Sequence, residues 1–288
     1  MKLTAEHLTK IFIHKTAVND FSYTFTNGIY GLLGPNGSGK STLMRMLCDI
    51  LKPNQGHIYL DGTLIQTMNE DYRDILGYLP QDFGYYPQFN AYDFLMYFAT
   101  LKGFSKKEAK DRVEMVLEMV NLTSEKKHKI KTFSGGMKQR LGIAQALLND
   151  PKILIVDEPT AGLDPKERAN FKSILARCAN DKIVILSTHI VSDIETLAQH
   201  ILIMKDGKLH QHGTREELLL PLHDQVYTFI CEEQEVEKLS KEMIVTAMMP
   251  VQNKMQIRAI ISKPAREDMR REEPSLEDLY LSIFKDAI

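Results

Sequence analysis

The chain has 288 residues, 43% hydrophobic and 26% charged, enough for one large α/β domain with a smaller appendage and unlike a disordered or fibrous chain. A formal net charge of -2 supplies no electrostatic case for nucleic-acid binding, and none is expected. Cys48, Cys178 and Cys231 are too scattered for a disulfide framework or a zinc motif, and no run approaches the roughly 20 apolar residues that cross a bilayer. The N-terminus, Met-Lys-Leu-Thr-Ala-Glu-His, lacks a signal-like apolar stretch, so a reducing cytoplasm is the expected compartment.

Residues 1–33 read as strands and turns, with Val18, Phe21, Tyr23 and Phe25 before the turn pair Asn27-Gly28. An apolar strand, Ile29 to Leu33, runs directly into Gly34-Pro35-Asn36-Gly37-Ser38-Gly39-Lys40-Ser41-Thr42, and Leu43, Met44, Met46 and Leu47 continue as an apolar helix face. Strands follow near 56–60 and 75–79. From 84 to 150 the pattern is mostly helical, with Ala109, Val113, Val116, Leu117 and Val120 on one face. The α/β alternation returns with strands at 153–156 and 182–186, a helix near 167–178, and a hairpin around Asp206-Gly207. Beyond about 214, strand candidates at 226–231, 244–248 and 255–261 are separated by the charged stretch 232–242, and a helix carrying Leu276, Leu279, Tyr280, Ile283 and Phe284 is expected after Pro274.

Gly34 to Thr42 fits the pattern Gly, four residues, Gly-Lys-Ser/Thr, in the strand, loop and helix context a phosphate loop needs. Glycines let the backbone N–H groups of Asn36, Gly37, Ser38 and Gly39 converge on phosphate oxygens at the positive end of a helix. Lys40 is expected to reach the β and γ phosphates of ATP, Ser41 to offer its hydroxyl to Mg²⁺, and Thr42 to add a phosphate contact. The buried strand 153–156 delivers Asp157 to the metal side and Glu158 toward the γ phosphate, where it can polarise an attacking water.

Phe133-Ser134-Gly135-Gly136-Met137-Lys138-Gln139-Arg140 is a second anion-binding helix start, and it resembles the signature motif of the ATP-binding-cassette family. The order of elements from about 3 to 213 is similar to that family's throughout. Two ends of the motif depart from the usual Leu-Ser-Gly-Gly-Gln: Phe133 replaces leucine and Met137 replaces glutamine, so one amide hydrogen-bonding group is missing. The resemblance implies a phosphate-loop NTPase of the ABC ATPase type with a helical subdomain and a small C-terminal α+β extension. It also implies a head-to-tail dimer, with a homodimer expected, in which Ser134 and Gly136 of one chain grip the nucleotide held by the other. In that family Gln81 corresponds to the glutamine that senses Mg²⁺ and the water, Asp164 to the interface loop residue that couples the two sites, His189 to the histidine at the γ phosphate, and Phe12 to the aromatic stacked on adenine.

The implied domains are 1–213, the ATPase with its helical subdomain at about 84–150, and 214–288, an accessory domain. The aromatic run Phe83, Tyr85, Tyr86, Phe89, Tyr92, Phe94, Tyr97 and Phe98 suits an interface, and the family's corresponding region receives a helix from a polytopic membrane permease. Pro274 to Tyr280 resembles a C-terminal segment of bacterial exporter ATPases whose membrane part is a separate chain. The chain is then expected at the inner face of the cell membrane, bound through that permease and powering export. A soluble mechanical ATPase of cofactor assembly, repair or translation is the other class; a translation factor carries two cassettes and a repair ATPase a long coiled coil, and this chain has one cassette and no heptad run. His210 and His212 share one face of a strand, but no convergent Cys, Asp or Glu set accompanies them.

Overall fold

The computed structural model describes residues 1–262, 266 and 268–285. Its strands are β1 (Leu3–Phe12), β2 (Lys15–Phe25), β3 (Gly28–Leu33), β4 (Gln55–Leu60), β5 (Thr63–Leu64), β6 (Leu76–Leu79), β7 (Ile153–Asp157), β8 (Ile183–Thr188), β9 (His200–Lys205), β10 (Lys208–Gly213), β11 (Val226–Cys231), β12 (Ile244–Val251), β13 (Lys254–Ile260) and β14 (Arg270–Arg271). They form two units, Met1–Gln211 and His212–Ile288.

The first unit contains a sheet of order β2-β1-β4-β5 and a larger one of order β10-β9-β3-β8-β7-β6. In the larger sheet β6, β7, β8, β3 and β9 run parallel. Every residue of β7 and β8 is buried, the continuous run expected of strands covered on both faces. Register carries the functional consequence: Leu33 pairs with Thr188 and Asp157 with Ser187. The C-terminal ends of β3, β8 and β7 therefore lie side by side, at the end of an open parallel sheet where ligands bind.

Helix Lys40–Leu47 follows β3 and buries Leu43, Met44, Met46 and Leu47 beneath the sheet. The expected insert consists of helices Ala91–Leu101, Lys106–Met119 and Gly135–Ala146. Ser105 and Glu108 form a reciprocal capping box on the second, and Ala109, Val113, Val116, Leu117 and Val120 are all fully buried. Helix Pro165–Cys178 starts two residues earlier than its apolar pattern indicates, because Asp164 caps it and Pro165 fits the first turn. The strand read as 182–186 continues to Thr188, held by its neighbours on both sides. The hairpin between β9 and β10 turns at Asp206 (φ 49°) and Gly207 (φ 77°), the left-handed pair its sequence demands.

The second unit is an antiparallel sheet of order β12-β13-β11-β14. The charged stretch read as a separator forms helix Val236–Glu242, whose apolar residues Val236 and Leu239, with Met243 beyond them, pack on Phe229, Ile257 and Ala259. Its charges mask a short apolar face at helical spacing. Helix Leu276–Ile283 begins after Pro274 as expected and is capped by Ser275.

Candidate functional site

A cleft of about 390 Å³ opens over the loop after β3. Asn36, Gly37, Gly39, Lys40, Ser41 and Thr42 form its floor, Gln81 and Glu158 one wall, and Phe12, Lys15 and Ala17 another. Gly39 has φ 107°, and a Cβ there would lie 2.3 Å from the Ala17 carbonyl oxygen, so only glycine lets the loop pass this close. Ser38 turns its hydroxyl inward, buried and without a hydrogen-bond partner among the described residues, and the cleft receives none of its side chain.

Lys40 is buried; its Nζ donates to the carbonyl oxygens of Gly34 (2.8 Å) and Pro35 (3.1 Å) and lies 3.3 Å from Glu158 Oε1. Burial lowers the ammonium's pKa, and Glu158 and then Asp157 pull part of that shift back. Glu158 is 5% exposed, and its other oxygen, Oε2, is 2.6 Å from His189 Nδ1. One carboxylate thus joins the lysine of the loop after β3 to the histidine that follows β8.

Asp157 is also buried. Ser41 donates to its Oδ1 at 3.1 Å and Ser187 to the same oxygen at 2.6 Å, whereas Oδ2 is buried with no hydrogen-bond partner among the described residues. The Ser41 hydroxyl and the Asp157 carboxylate, held together beside the phosphate-binding loop, are hard oxygen donors of the kind Mg²⁺ takes from proteins. Ser41 and Asp157 therefore fit that ion, and Gln81 lines the same cleft as Ser41.

Phe12 stands at the cleft mouth, 46% exposed, with Lys10 Nζ 5.5 Å from its ring centre. An accessible ring face there can stack on a nucleobase. Six of the expected residues lie outside the cleft lining: Ser38 within the loop, Asp157 and His189, which adjoin it through the contacts above, and Ser134, Gly136 and Asp164. Ser134 is exposed and caps helix Gly135–Ala146, its hydroxyl accepting from the Met137 N–H at 3.2 Å. Gly136 is buried under Glu167, where an added Cβ would meet the carboxyl group at 2.5 Å. Asp164 caps the following helix, accepting from the Glu167 N–H at 2.9 Å.

Sequence reading passed over Lys15, Ser187 and a buried tether. Lys15 faces Phe12 across the β1–β2 hairpin, and its Nζ reaches the Gly37 carbonyl oxygen at 3.4 Å; the short turn at Ile13-His14 was the available signal. Thr160 donates to buried Asp193, and Lys172 donates to the Ser192 carbonyl oxygen at 2.7 Å, tying the segment after Glu158 to the one after His189. No local pattern marks those pairings.

The family described as ABC transporter matches residues 18–161. The uncharacterized ABC transporter ATP-binding protein YxlF of Bacillus subtilis (strain 168) is 34% identical, covering 98% of this chain and 99% of its own. The Nod factor export ATP-binding protein I of Burkholderia lata is 35% identical over 74% of this chain and 71% of its own. Among solved structures, the dimeric post-hydrolysis state of the cassette MJ0796 bound to ADP and Pi superposes with a TM-score of 0.67 and 26% identity, covering 74% of this chain and 98% of that one.

Proposed function

We propose, from the premise that this chain belongs to the ABC transporter family and is an ATP-binding subunit that hydrolyses ATP, that it powers export through a separate polytopic permease by closing on a second copy of itself. The observation that carries the reading is the division of its functional residues. Lys40, Asp157, Glu158 and His189 converge at one sheet end, while Ser134 and Asp164 cap helices outside that cleft. A helix start rich in N–H groups is suited to phosphate, and a second copy placed head to tail would bring it to the γ phosphate.

The phosphate tail of ATP binds across Gly34 to Thr42, and the Lys40 ammonium, drawn from the Gly34 and Pro35 carbonyls, turns to its β and γ oxygens. Phe12 stacks on the base, and Lys15 lies within reach of the phosphates beside Gly37. Ser41, Asp157 and Gln81 are the residues that would hold Mg²⁺, which when bound neutralises phosphate charge. Glu158, freed from Lys40, orients the attacking water and takes its proton, and His189 Nδ1 holds the carboxylate in line through Oε2. Exclusion of solvent between the two copies strengthens each of these interactions.

The partner surface lies on the helical insert. Tyr86 and Tyr97 are 50% and 40% exposed and meet edge to face at 5.8 Å, forming an apolar platform for a permease helix, whereas Phe94 is fully buried and belongs to the core. Domain 1–213 is then the motor, 214–288 an accessory domain, and the permease holds the pair at the inner face of the membrane. No helix among the described residues is long and apolar enough to cross a membrane. The export relative supports the direction.

Glu158→Gln is expected to keep ATP affinity, slow turnover by about 10²–10⁴-fold through loss of the base, and trap closed dimers. Turnover at the parental rate in a phosphate-release assay sinks the assignment of Glu158. Affinity isolation of that variant from native membranes with Mg-ATP and mild detergent is expected to recover a stoichiometric polytopic protein. A consistently soluble complex, despite verified solubilisation, overturns the transporter reading in favour of a soluble mechanical ATPase.

A further inference from the structure

Ser187 belongs to none of the motifs read from the sequence, yet it is fully buried beside the Asp157 carboxylate and the Glu158 backbone. It pairs with Asp157 across β7 and β8, so its hydroxyl reaches the strand end from which both acids project. A hydroxyl has one hydrogen to donate and lone pairs to accept with. Here both capacities are used: Oγ donates to Asp157 Oδ1 at 2.6 Å and accepts the Glu158 backbone N–H at 2.9 Å.

Each bond constrains one of the acids. On Asp157, Oδ1 accepts from Ser187 and Ser41 together, which fixes the orientation of the carboxylate beside the Ser41 hydroxyl. Glu158 sits at φ 47°, a left-handed backbone that a long side chain seldom adopts. Strand β7 ends at Asp157, so the N–H of Glu158 relies on a side-chain acceptor, and Ser187 supplies it. In that backbone conformation the Glu158 carboxylate meets both Lys40 and His189.

We propose that Ser187 is a positioning residue that fixes, through one hydroxyl, both the orientation of the Asp157 carboxylate and the left-handed backbone of Glu158. The proposal rests on the reading of Asp157 as the Mg²⁺ carboxylate and Glu158 as the base. Ser187 itself is fully buried and outside the cleft lining, so it acts through its two neighbours.

The test compares Ser187→Ala, Ser187→Thr and Asp157→Asn in the full chain. The affinity of a fluorescent ATP analogue is measured in EDTA and in saturating Mg²⁺, alongside kcat, KM and thermal melting. Loss of a hydrogen bond to a charged group predicts that Ser187→Ala lowers kcat by about 10- to 100-fold and reduces the Mg²⁺-dependent tightening by about tenfold. Affinity in EDTA is expected to change less than about twofold, since Ser187 does not contact the phosphate loop residues that grip nucleotide without metal. Ser187→Thr, which keeps the hydroxyl, is expected to restore both readouts. A Ser187→Ala protein with unchanged kcat and intact Mg²⁺ tightening overturns the proposal while leaving the site reading in place, provided Asp157→Asn abolishes the tightening. Ala and Thr variants equally impaired, with equally lowered melting temperatures, reduce Ser187 to a packing residue and also overturn it. Tightening that survives Asp157→Asn removes the metal assignment and the proposal with it.

Discussion

Replacing Asp278 by alanine should loosen the second unit, and the size of the effect can be worked from its contacts. Asp278 is 1% exposed, and its carboxylate accepts from Arg258 Nη2 at 2.7 Å, Thr246 Oγ1 at 2.6 Å, and the Ser275 backbone N–H and hydroxyl, both at 2.8 Å. It thereby links β12, β13 and the cap of helix Leu276–Ile283. Removing one partner of a buried ion pair costs about 3–5 kcal/mol. Arg258 is a quarter exposed and keeps the Glu273 carbonyl oxygen at 2.6 Å, so water offsets part of that penalty; loss of the helix cap restores some of it. The net expectation is about 3 kcal/mol, or exchange about 150-fold faster at the slowest amides of β11 and β13. Hydrogen exchange followed by mass spectrometry reads this directly, with peptides of β3 and β7 as the internal reference. Acceleration below about threefold refutes the reasoning. Acid gives an independent check. Burial pushes the Asp278 carboxyl upward, but the bonds from Arg258, Thr246 and Ser275 outweigh it and hold it below the usual aspartate range. A depressed folded pKa means that this stabilisation is complete above the unfolded aspartate value of about 3.9 and is lost as pH falls through the folded value. The difference between parent and variant should therefore shrink only below about pH 4.

Phe94→Ala is expected to cost about 3–5 kcal/mol in denaturant unfolding, because it empties a fully buried ring site. Tyr97→Ala should cost under about 1 kcal/mol, leave basal ATPase unchanged, and abolish copurification of a permease. Equal stability losses for the two would refute the division of the aromatic run into core and surface. Lys40→Met should weaken ATP binding by about 10- to 100-fold, the worth of charge-assisted bonds to phosphate. Unchanged affinity in a fluorescent-nucleotide titration would remove Lys40 from the binding site.

Sequence alone determined most of the local architecture, because its signals are local. The loop from Gly34 to Lys40 needs left-handed glycines between a buried strand and a helix, and only a phosphate loop uses that succession with Lys-Ser behind it. The apolar face of helix Lys106–Met119 and the turn at Asp206-Gly207 are equally written in near neighbours. Helix Val236–Glu242 escaped because its charges outnumber a face of only two apolar residues within the helix, which becomes apolar burial only when the sheet beneath it exists. The acids Asp157 and Glu158 could be named from the strand that carries them. Which oxygen of Asp157 stays unpartnered, and why Glu158 meets both Lys40 and His189, could not, since Ser187 and His189 arrive from 29 or more residues away through parallel strand pairing. Register between β3, β8 and β7 is a property of the packed sheet, and it decides which side chains meet at the cleft, whereas Ser134 and Asp164 cap helices outside its lining.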